Sequence, residues 1–455
     1  MLSLADPLAS VLLPAVLAAF FAFVVVISWR YPQYIFFLIF FFRPLLDMTR
    51  LLKDKEEIVQ SMIKATGVII PAILLITLIL HKKALTDDNF LVLFFMVIIL
   101  VMALFHEGKD ARAGEIIVRT VTPLVLIIFP AVVIESERDL KTFLRLIGIS
   151  IVFVLVAVFL DRTRTNIHPV HGWVQDVIVL PGGQTRNRLA AVFGVPTVTG
   201  YWLFLFFVLA YFLFETDRGL RRWIWLGACF ALSVPLFYVF SRSAWIGCAI
   251  AIFLYNLFKG RLGRTMALLT GGAILVAIVL PQILYRLQDL RTMQHRLLLW
   301  KGYFQTMLDK GAAAWLTGLG WSDLPEKNIY TGHLIIPGST GLTENSFIFI
   351  LVGSGILALI VFILIVLRLV RRSIWLAKNG GTPFIRAFGI WSIALLVAWL
   401  AMSTTGEVVT YVVINWYFYA FFGCALGLWA NREKLQPEAA RRELNNRIPE
   451  PEPSG

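Results

Sequence analysis

Apolar stretches recur along the whole chain, and short polar connections separate them. Most are long enough to cross a bilayer as a helix, and the second is short. The apolar stretches cover residues 11–28, 34–46, 67–80, 90–105, 117–134, 145–160, 190–214, 223–240, 244–258, 265–285, 346–370, 387–406 and 408–430. We therefore predict an all-α, polytopic membrane protein with about twelve or thirteen transmembrane helices.

Two long polar segments interrupt this pattern and divide the chain into six parts. The predicted parts are N-terminal transmembrane helices in 1–160, a first long loop in 161–189, central helices in 190–285, a large loop in 286–345, C-terminal helices in 346–430 and a tail in 431–455. The tail is charged and proline-rich, which predicts disorder. The N-terminus lacks a basic region, so the first apolar run is predicted to be a membrane helix and not a cleaved signal.

The composition agrees with this pattern. The chain has 455 residues, of which 59% are hydrophobic and 15% are charged, whereas soluble domains carry about 25% charged residues. The net charge of +13 follows in part from the usual excess of Lys and Arg in cytoplasmic loops, and we predict no nucleic-acid partner. Cys229, Cys248 and Cys424 all lie in apolar runs, which predicts packing roles and neither a disulfide nor a metal site.

Charge also predicts the orientation of the chain. The short basic connections alternate so that they share the cytoplasmic side with the C-terminal tail. They are residues 215–222, 259–264 and 371–386, and the connections 82–89 and 136–145 fall on the same side when the alternation is followed backwards. Both long loops, the turn containing Arg242, the connection containing Glu407 and the end of the span with Arg43 then fall on the outer side. The side of the N-terminus stays open.

Three arginines are predicted near the outer membrane boundary. Arg186 and Arg188 stand where the first long loop re-enters the membrane, and Arg242 lies in the tight turn "SRSAW" between two apolar runs. A charge at the bilayer centre costs about 2.5–3.5 kcal/mol and less near the surface. The planar guanidinium binds phosphate through two parallel hydrogen bonds, and a lipid diphosphate lies at this depth. Each arginine alone could instead extend to lipid headgroups.

The large outer loop begins with a predicted amphipathic helix and continues as a Gly- and Thr-rich segment. The apolar face of the helix consists of Leu290, Met293, Leu297, Trp300, Phe304, Met307 and Leu308. Beyond it, His333 and Glu344 are the candidate bases. The alternatives are a solvated loop histidine and a carboxylate that stabilises the start of the next helix. No metal site is predicted, because His168 and His171 lack a third nearby ligand.

Four segments, taken in order, resemble the O-antigen ligase/polymerase superfamily of bacterial inner-membrane glycan enzymes. They are "RLAAVFGVPTVTGYWLF", "SRSAWIG", "HRLLLWKGYFQTMLDKGAAAWLTGLGW" and "ENSFIFILVGSGILAL". The first resembles the family's Arg-led Phe-Gly-x-Pro segment, and the second its Ser-Arg turn. The third resembles an Arg-x-x-x-Trp helix followed by Gly-x-Gly, and the fourth a (His/Glu)-Asn segment followed by glycines. The match covers roughly residues 180–370.

The resemblance implies a metal-independent glycosyltransferase with a GT-C-like fold, no cofactor and an active site facing the periplasm. The donor would be a glycan on undecaprenyl diphosphate. Its diphosphate would bind Arg186 or Arg188 together with Arg242, and Glu344 or His333 would activate the acceptor hydroxyl. Supporting roles are expected for Arg296, Asn345 and Glu407. Expected partners are the donor, a glycan or lipid A-core acceptor, membrane lipids and a chain-length regulator.

Two enzyme functions and two non-enzyme functions remain open at this stage. The ligases of the family typically carry His before the Asn, and this chain has Glu344. That difference favours a polymerase of O-antigen or exopolysaccharide repeat units over a ligase that transfers glycan to lipid A-core. A transporter or flippase of lipid-linked sugars would place its charges near the bilayer midplane. A non-catalytic scaffold would tolerate loss of any one of these residues.

Overall fold

The fold is seen in a computed structural model, which describes most of the chain. The described residues are 30–48, 70–71, 73–78, 86–107, 111–164, 177–179, 185–187, 189, 193, 195–239, 241–261, 263–267, 270, 291–321, 345–406 and 408–435. All statements below concern these residues.

Helices form almost all of the described secondary structure. The first half contains α1 (Pro32–Met48), α2 (Asp87–Glu107), α3 (Ala111–Ile128), α4 (Pro130–Val133), α5 (Glu137–Ile149) and α6 (Ile151–Arg164). A small antiparallel hairpin follows, with strands β1 (Val177–Val179) and β2 (Thr185–Asn187). This hairpin lies within the predicted loop 161–189, where the sequence indicated no strand.

The second half of the chain is helical throughout its described parts. It contains α7 (Pro196–Thr216), α8 (Leu220–Tyr238), α9 (Arg242–Phe258), α10 (Arg291–Lys310), α11 (Ala312–Thr317), α12 (Ser346–Asn379), α13 (Pro383–Ser403) and α14 (Val412–Ala430). Short 3-10 turns at Val408–Thr410 and Arg432–Leu435 flank α14.

The described helices fit a protein that crosses a membrane several times. Seven helical segments, with α5 and α6 counted as one, are long and apolar enough to span a bilayer, and three shorter apolar helices accompany them. The predicted spans 11–28 and, for the most part, 265–285 lie outside the described residues, so the predicted total of twelve or thirteen stays a prediction. All three cysteines are buried, which confirms their predicted packing positions.

Helix α14 forms the centre of the bundle and is the most enclosed of the candidate spans, because 89% of an 18-residue apolar stretch within it is buried. Close packing, and not the hydrophobic effect, holds helices together in lipid, so small residues are favoured where backbones meet. Gly423 and Gly427 of α14 face the α3–α4 junction, where an added Cβ at Gly423 would lie 2.5 Å from the Leu126 carbonyl oxygen. Spans α2 and α8 are peripheral and expose many apolar side chains.

The bundle has two chemically different ends. At one end, which we call the basic end, Arg145 donates to Asp217 at 2.6 Å and Arg372 donates to Asp88 at 2.8 Å. Glu215 pairs there with Arg261 and Arg264. The structure thus joins the described parts of the basic connections at one end, as their charge pattern predicts. At the other end, which we call the Arg242 end, α7, α9 and α14 begin and α8 and α13 finish.

Two predicted features differ from the structure. The predicted connection 136–145 lies largely within helix α5. Ser136 and Asp139 form a reciprocal capping box at the start of this helix. The charged residues on one face of α5 gave the segment the composition of a loop, although its other face is apolar. Helix α10 confirms the amphipathic helix, but its buried face centres on Tyr303 and Met307. Leu297 and Leu308, predicted on that face, are exposed because the partner α11 covers only one side of α10.

Helix α12 contains a break at Gly355, whose φ of 81° is far from helical. The Leu319 N–H donates to the Val352 carbonyl oxygen at 2.6 Å, so the segment after α11 bonds a carbonyl next to the break. Glycines at Gly318 and Gly353 allow the two backbones to approach, because a Cβ on Gly318 would lie 2.7 Å from the Gly353 carbonyl carbon. The break therefore docks the large loop's "GLGW" segment onto α12.

Candidate functional site

Arg242 is the first residue of α9 and has an exposed side chain. Ser241 before it is extended and places no side-chain cap on the helix. Among the described residues, Arg242 has no ion-pair or hydrogen-bond partner. The turn itself is fixed by Trp245, whose indole N–H donates to the Leu236 carbonyl oxygen at 2.8 Å. A cation and uncapped helical N–H groups therefore stand together at this end, an arrangement that attracts anions.

Hydroxyl groups tie the Arg242 turn to α7. The Ser243 hydroxyl donates to Tyr201 Oη at 3.1 Å and lies 3.3 Å from the Ser241 hydroxyl. Close backbone approach makes this contact possible, because a Cβ on Gly200 would lie 2.7 Å from Ser241 Cβ. The turn is thus held by both packing and hydrogen bonds.

The same tyrosine also contacts the connection between α13 and α14. A Cβ on Gly406 would lie 2.5 Å from Tyr201 Oη, so the backbone passes directly beside this hydroxyl. The Ser346 hydroxyl donates to the Gly406 carbonyl oxygen at 3.1 Å and accepts from the Val409 N–H at 3.3 Å. Tyr201 therefore lies between the Arg242 turn and the start of α12.

Asn345 begins α12 and confirms the predicted helix start. Its side-chain oxygen accepts from the Phe347 and Ile348 N–H groups at 2.9 and 3.1 Å. Its amide donates to the Thr404 carbonyl oxygen at 3.1 Å, which fixes α12 to the end of α13. Glu344 and Glu407 lie outside the described residues.

The other predicted site residues are placed less fully. The backbone of Arg186 pairs with Ile178 in the hairpin, and the Leu189 N–H donates to the Tyr238 carbonyl oxygen at 3.3 Å. Arg186 precedes Leu189 by three residues, which span at most about 11 Å, so the backbone of Arg186 lies near the end of α8. Arg188 and His333 lie outside the described residues. Arg296 is partly buried on α10, which packs against α11 and α12.

Sequence reasoning gave no role to two residues at this end. Arg43 is only 5% exposed, and its guanidinium lies 4.2 Å from the centre of the Trp416 ring. The position of Arg43 within an apolar run could have marked it as unusual. Its aromatic partner, Trp416, could not be foreseen, because it is more than 370 positions away in the sequence. Tyr201 gave no signal, since a tyrosine in an apolar run is ordinary. In the described parts of the chain, no group of three metal-binding side chains occurs.

The four sequence segments that carry the family resemblance contact one another in the fold. Tyr201 of the first meets Ser243 of the second, and Leu319 of the third meets Val352 of the fourth. The first and fourth segments meet through Gly406. They thus form one connected group that includes the Arg242 end.

Comparison with known proteins adds no family to this picture. No family model matches the chain, and no curated protein matches it. The chemistry of the Arg242 end therefore rests on its own residues.

Proposed function

We propose that this chain is a metal-independent glycosyltransferase of the bacterial inner membrane. It would use a glycan on undecaprenyl diphosphate as donor at the periplasmic face and polymerise lipid-linked repeat units of O-antigen or exopolysaccharide. One observation carries the proposal: Arg242 is exposed and has no partner among the described residues, yet packing and hydrogen bonds fix its turn against the first motif segment and the end of α8.

In this proposal Arg242 binds the diphosphate of the donor. The acceptor hydroxyl attacks the anomeric carbon, the bond from that carbon to the diphosphate oxygen breaks, and the diphosphate leaves with added negative charge. A fixed guanidinium stabilises this charge increasingly toward the transition state. The N–H groups in the first turn of α9 act in the same direction. Arg186 or Arg188 supplies the second cation.

The proposed base is Glu344, with His333 as the alternative. An alcohol is a weak nucleophile near neutral pH, so a positioned base that takes its proton accelerates attack. Support comes from Asn345, the next residue, which is fixed by three hydrogen bonds to α12 and Thr404. The start of α12, which follows Glu344 directly in the sequence, is therefore fixed at the Arg242 end.

The transporter hypothesis receives less support. It requires charges near the bilayer midplane, where transport sites usually lie. Arg242 is instead the first residue of its helix, at the end of the bundle. The position favours a ligand at membrane-surface depth.

The proposal is tested by deleting the gene in its host and separating the surface glycans on a gel. Complementation uses wild type, Arg242→Ala, Glu344→Gln and the control Arg371→Ala, with membrane abundance measured for each. Arg371 is a matched control because it is exposed and lies on α12 toward the basic end. We expect single repeat units on lipid A-core after deletion, restoration by wild type and Arg371→Ala, and none by the other two.

Other glycan patterns would overturn parts of the proposal. Long glycan on undecaprenyl diphosphate, with none on the core, would identify a ligase. Unchanged glycans after deletion would exclude a required role in their synthesis. Full restoration by well-expressed Arg242→Ala would show that Arg242 does not bind the diphosphate.

A further inference from the structure

A cavity of about 890 Å³ opens at the basic end, opposite Arg242. It lies between the first turns of α5, α8 and α13, the last residues of α7 and the residues that directly follow α9. Eight cationic side chains but only three carboxylates line it. Its volume lies within the range of about 300–1,000 Å³ that is typical of small-molecule sites.

The three carboxylates are already engaged with other cations of the wall. Glu215 pairs with Arg261 and Arg264, and Glu137 pairs with Lys141. Asp217 accepts from two side chains, Arg145 at 2.6 Å and the Trp225 indole N–H at 2.9 Å. The carboxylates of Glu215 and Asp217 are nearly inaccessible to solvent. These acids therefore leave the remaining cations unneutralised.

Four cations of the wall, Arg218, Arg221, Arg222 and Lys259, have no ion pair among the described residues. Arg222 Nε is buried without a hydrogen-bond partner there, and its guanidinium lies 4.7 Å from the Phe214 ring centre. The pKa of Lys259 is lowered, mainly by burial and to a smaller extent by the positive charge of Arg386. Arg222 and Lys259 are thus partly desolvated, whereas Arg218 and Arg221 are exposed. Cations that lack a counter-ion are stabilised by a bound anion, and most of all where they are desolvated.

Two helices add positive potential to the same space. Leu220 and Pro383, the first residues of α8 and α13, both line the cavity. Helix N-termini carry partial positive charge, and α8 begins after Gly219 with no side-chain cap. The usual excess of Lys and Arg in cytoplasmic loops explains why these connections are basic. It does not explain why the cations enclose a cavity whose carboxylates are already paired with other cations.

We propose that this cavity binds a phosphate-bearing anion of headgroup size, held by Arg218, Arg221 and Arg222. The shared chemistry is one or two phosphate groups, either on a lipid headgroup or on a soluble molecule. The site lies at the opposite end of the bundle from Arg242 and does not depend on the proposed glycosyl transfer.

Binding is tested with full-length protein, purified and delipidated in neutral detergent. The two probes are radiolabelled pyrophosphate, measured by equilibrium binding, and phosphatidic acid, measured by native mass spectrometry. The test variant is Arg218→Gln/Arg221→Gln/Arg222→Gln. The matched control, Arg138→Gln/Arg371→Gln/Lys378→Gln, removes the same charge from exposed residues of this end that do not line the cavity.

We expect wild type to bind at least one probe, the test variant to lose about 100-fold in affinity and the control to stay within about threefold. Pyrophosphate binding alone would identify a soluble ligand, and phosphatidic acid binding alone a lipid headgroup. Binding of neither probe, or equal losses in both triple variants, would overturn the proposal.

A single substitution protects the test against misfolding of the triple variant. Arg221 is exposed, so Arg221→Gln leaves the fold intact, and we expect an affinity loss of about tenfold. Its control is Arg371→Gln. No difference between these two single variants would contradict a role for Arg221 in binding.

Discussion

The two ends of the bundle use arginine in opposite ways. At the basic end, several guanidiniums contact nearly inaccessible carboxylates of Asp88, Glu215 and Asp217. At the other end, Arg242 is exposed and has no such partner among the described residues, although its turn is firmly held. The comparison teaches that pairing, and not the number of cations, separates structural arginines from those available to a ligand.

The same criterion divides the basic end itself. Arg145, Arg261 and Arg264 are paired with acids, and their positions are explained by the fold. Arg218 and Arg221 line the same cavity without an acid among the described residues. Arg43 shows a third arrangement, in which the ring of Trp416 packs against the buried guanidinium.

The largest expected loss of stability comes from breaking a paired group at the basic end. Asp88→Asn leaves Arg372, which is only 11% exposed, without its counter-charge, and should lower the free energy of unfolding by about 3 kcal/mol. The neighbouring Asp87 is exposed, so Asp87→Asn is the matched control and should change it by less than about 0.5 kcal/mol. Reversible unfolding in mild detergent measures both. Equal losses would show that the Asp88 pairs are not structural.

A second prediction concerns the packing that holds the Arg242 turn. Gly200→Ala puts a methyl group 2.7 Å from Ser241 Cβ, and we expect a loss of about 2 kcal/mol together with reduced glycan synthesis. Gly227→Ala adds the same methyl group where no heavy atom lies within 4 Å, and it should be neutral or stabilising by up to about 1 kcal/mol. The two variants are compared by unfolding and by glycan gels. Full activity of the Gly200→Ala variant would show that the position of the Arg242 turn does not affect glycan synthesis.

The smallest effect is expected at the start of α12. Asn345→Ala removes the cap and should cost about 1 kcal/mol of stability. Asn345→Asp keeps an oxygen for the Phe347 and Ile348 N–H groups but loses the bond to the Thr404 carbonyl oxygen. Unfolding measurements should therefore rank Asn345→Asp above Asn345→Ala, while both reduce glycan synthesis. If both variants synthesise glycan at the wild-type level, the start of α12 does not contribute to the site.

Much of the helical architecture could be predicted from the sequence because apolar runs and charged connections are local signals. The predicted span 223–240 is α8, and the predicted amphipathic helix 290–308 is α10 with nearly the same limits. The basic connections meet at one end because alternation of membrane helices fixes which connections are neighbours. The start of α12 also follows from local sequence, although Asn345 supplies the cap that had been considered for Glu344.

The remaining features depend on contacts between distant residues, which a single sequence does not reveal. Asp88 pairs with Arg372, 284 positions away. The break at Gly355 depends on the docking of Leu319, and the turn of Arg242 depends on Tyr201. The sequence singled out Arg242 from the basic loops, but only the structure reveals which cations have carboxylate partners.

The central claim, that Arg242 binds the donor diphosphate, is tested most directly by kinetics in proteoliposomes. Purified wild type, Arg242→Lys and Arg242→Ala are supplied with lipid-linked repeat units, and the polymerisation rate per folded protein is measured. We predict a loss of about 100-fold for Arg242→Ala and an intermediate loss for Arg242→Lys, because lysine keeps the charge but not the planar fork. Wild-type rates for both variants would contradict the claim and make Arg242 a membrane anchor.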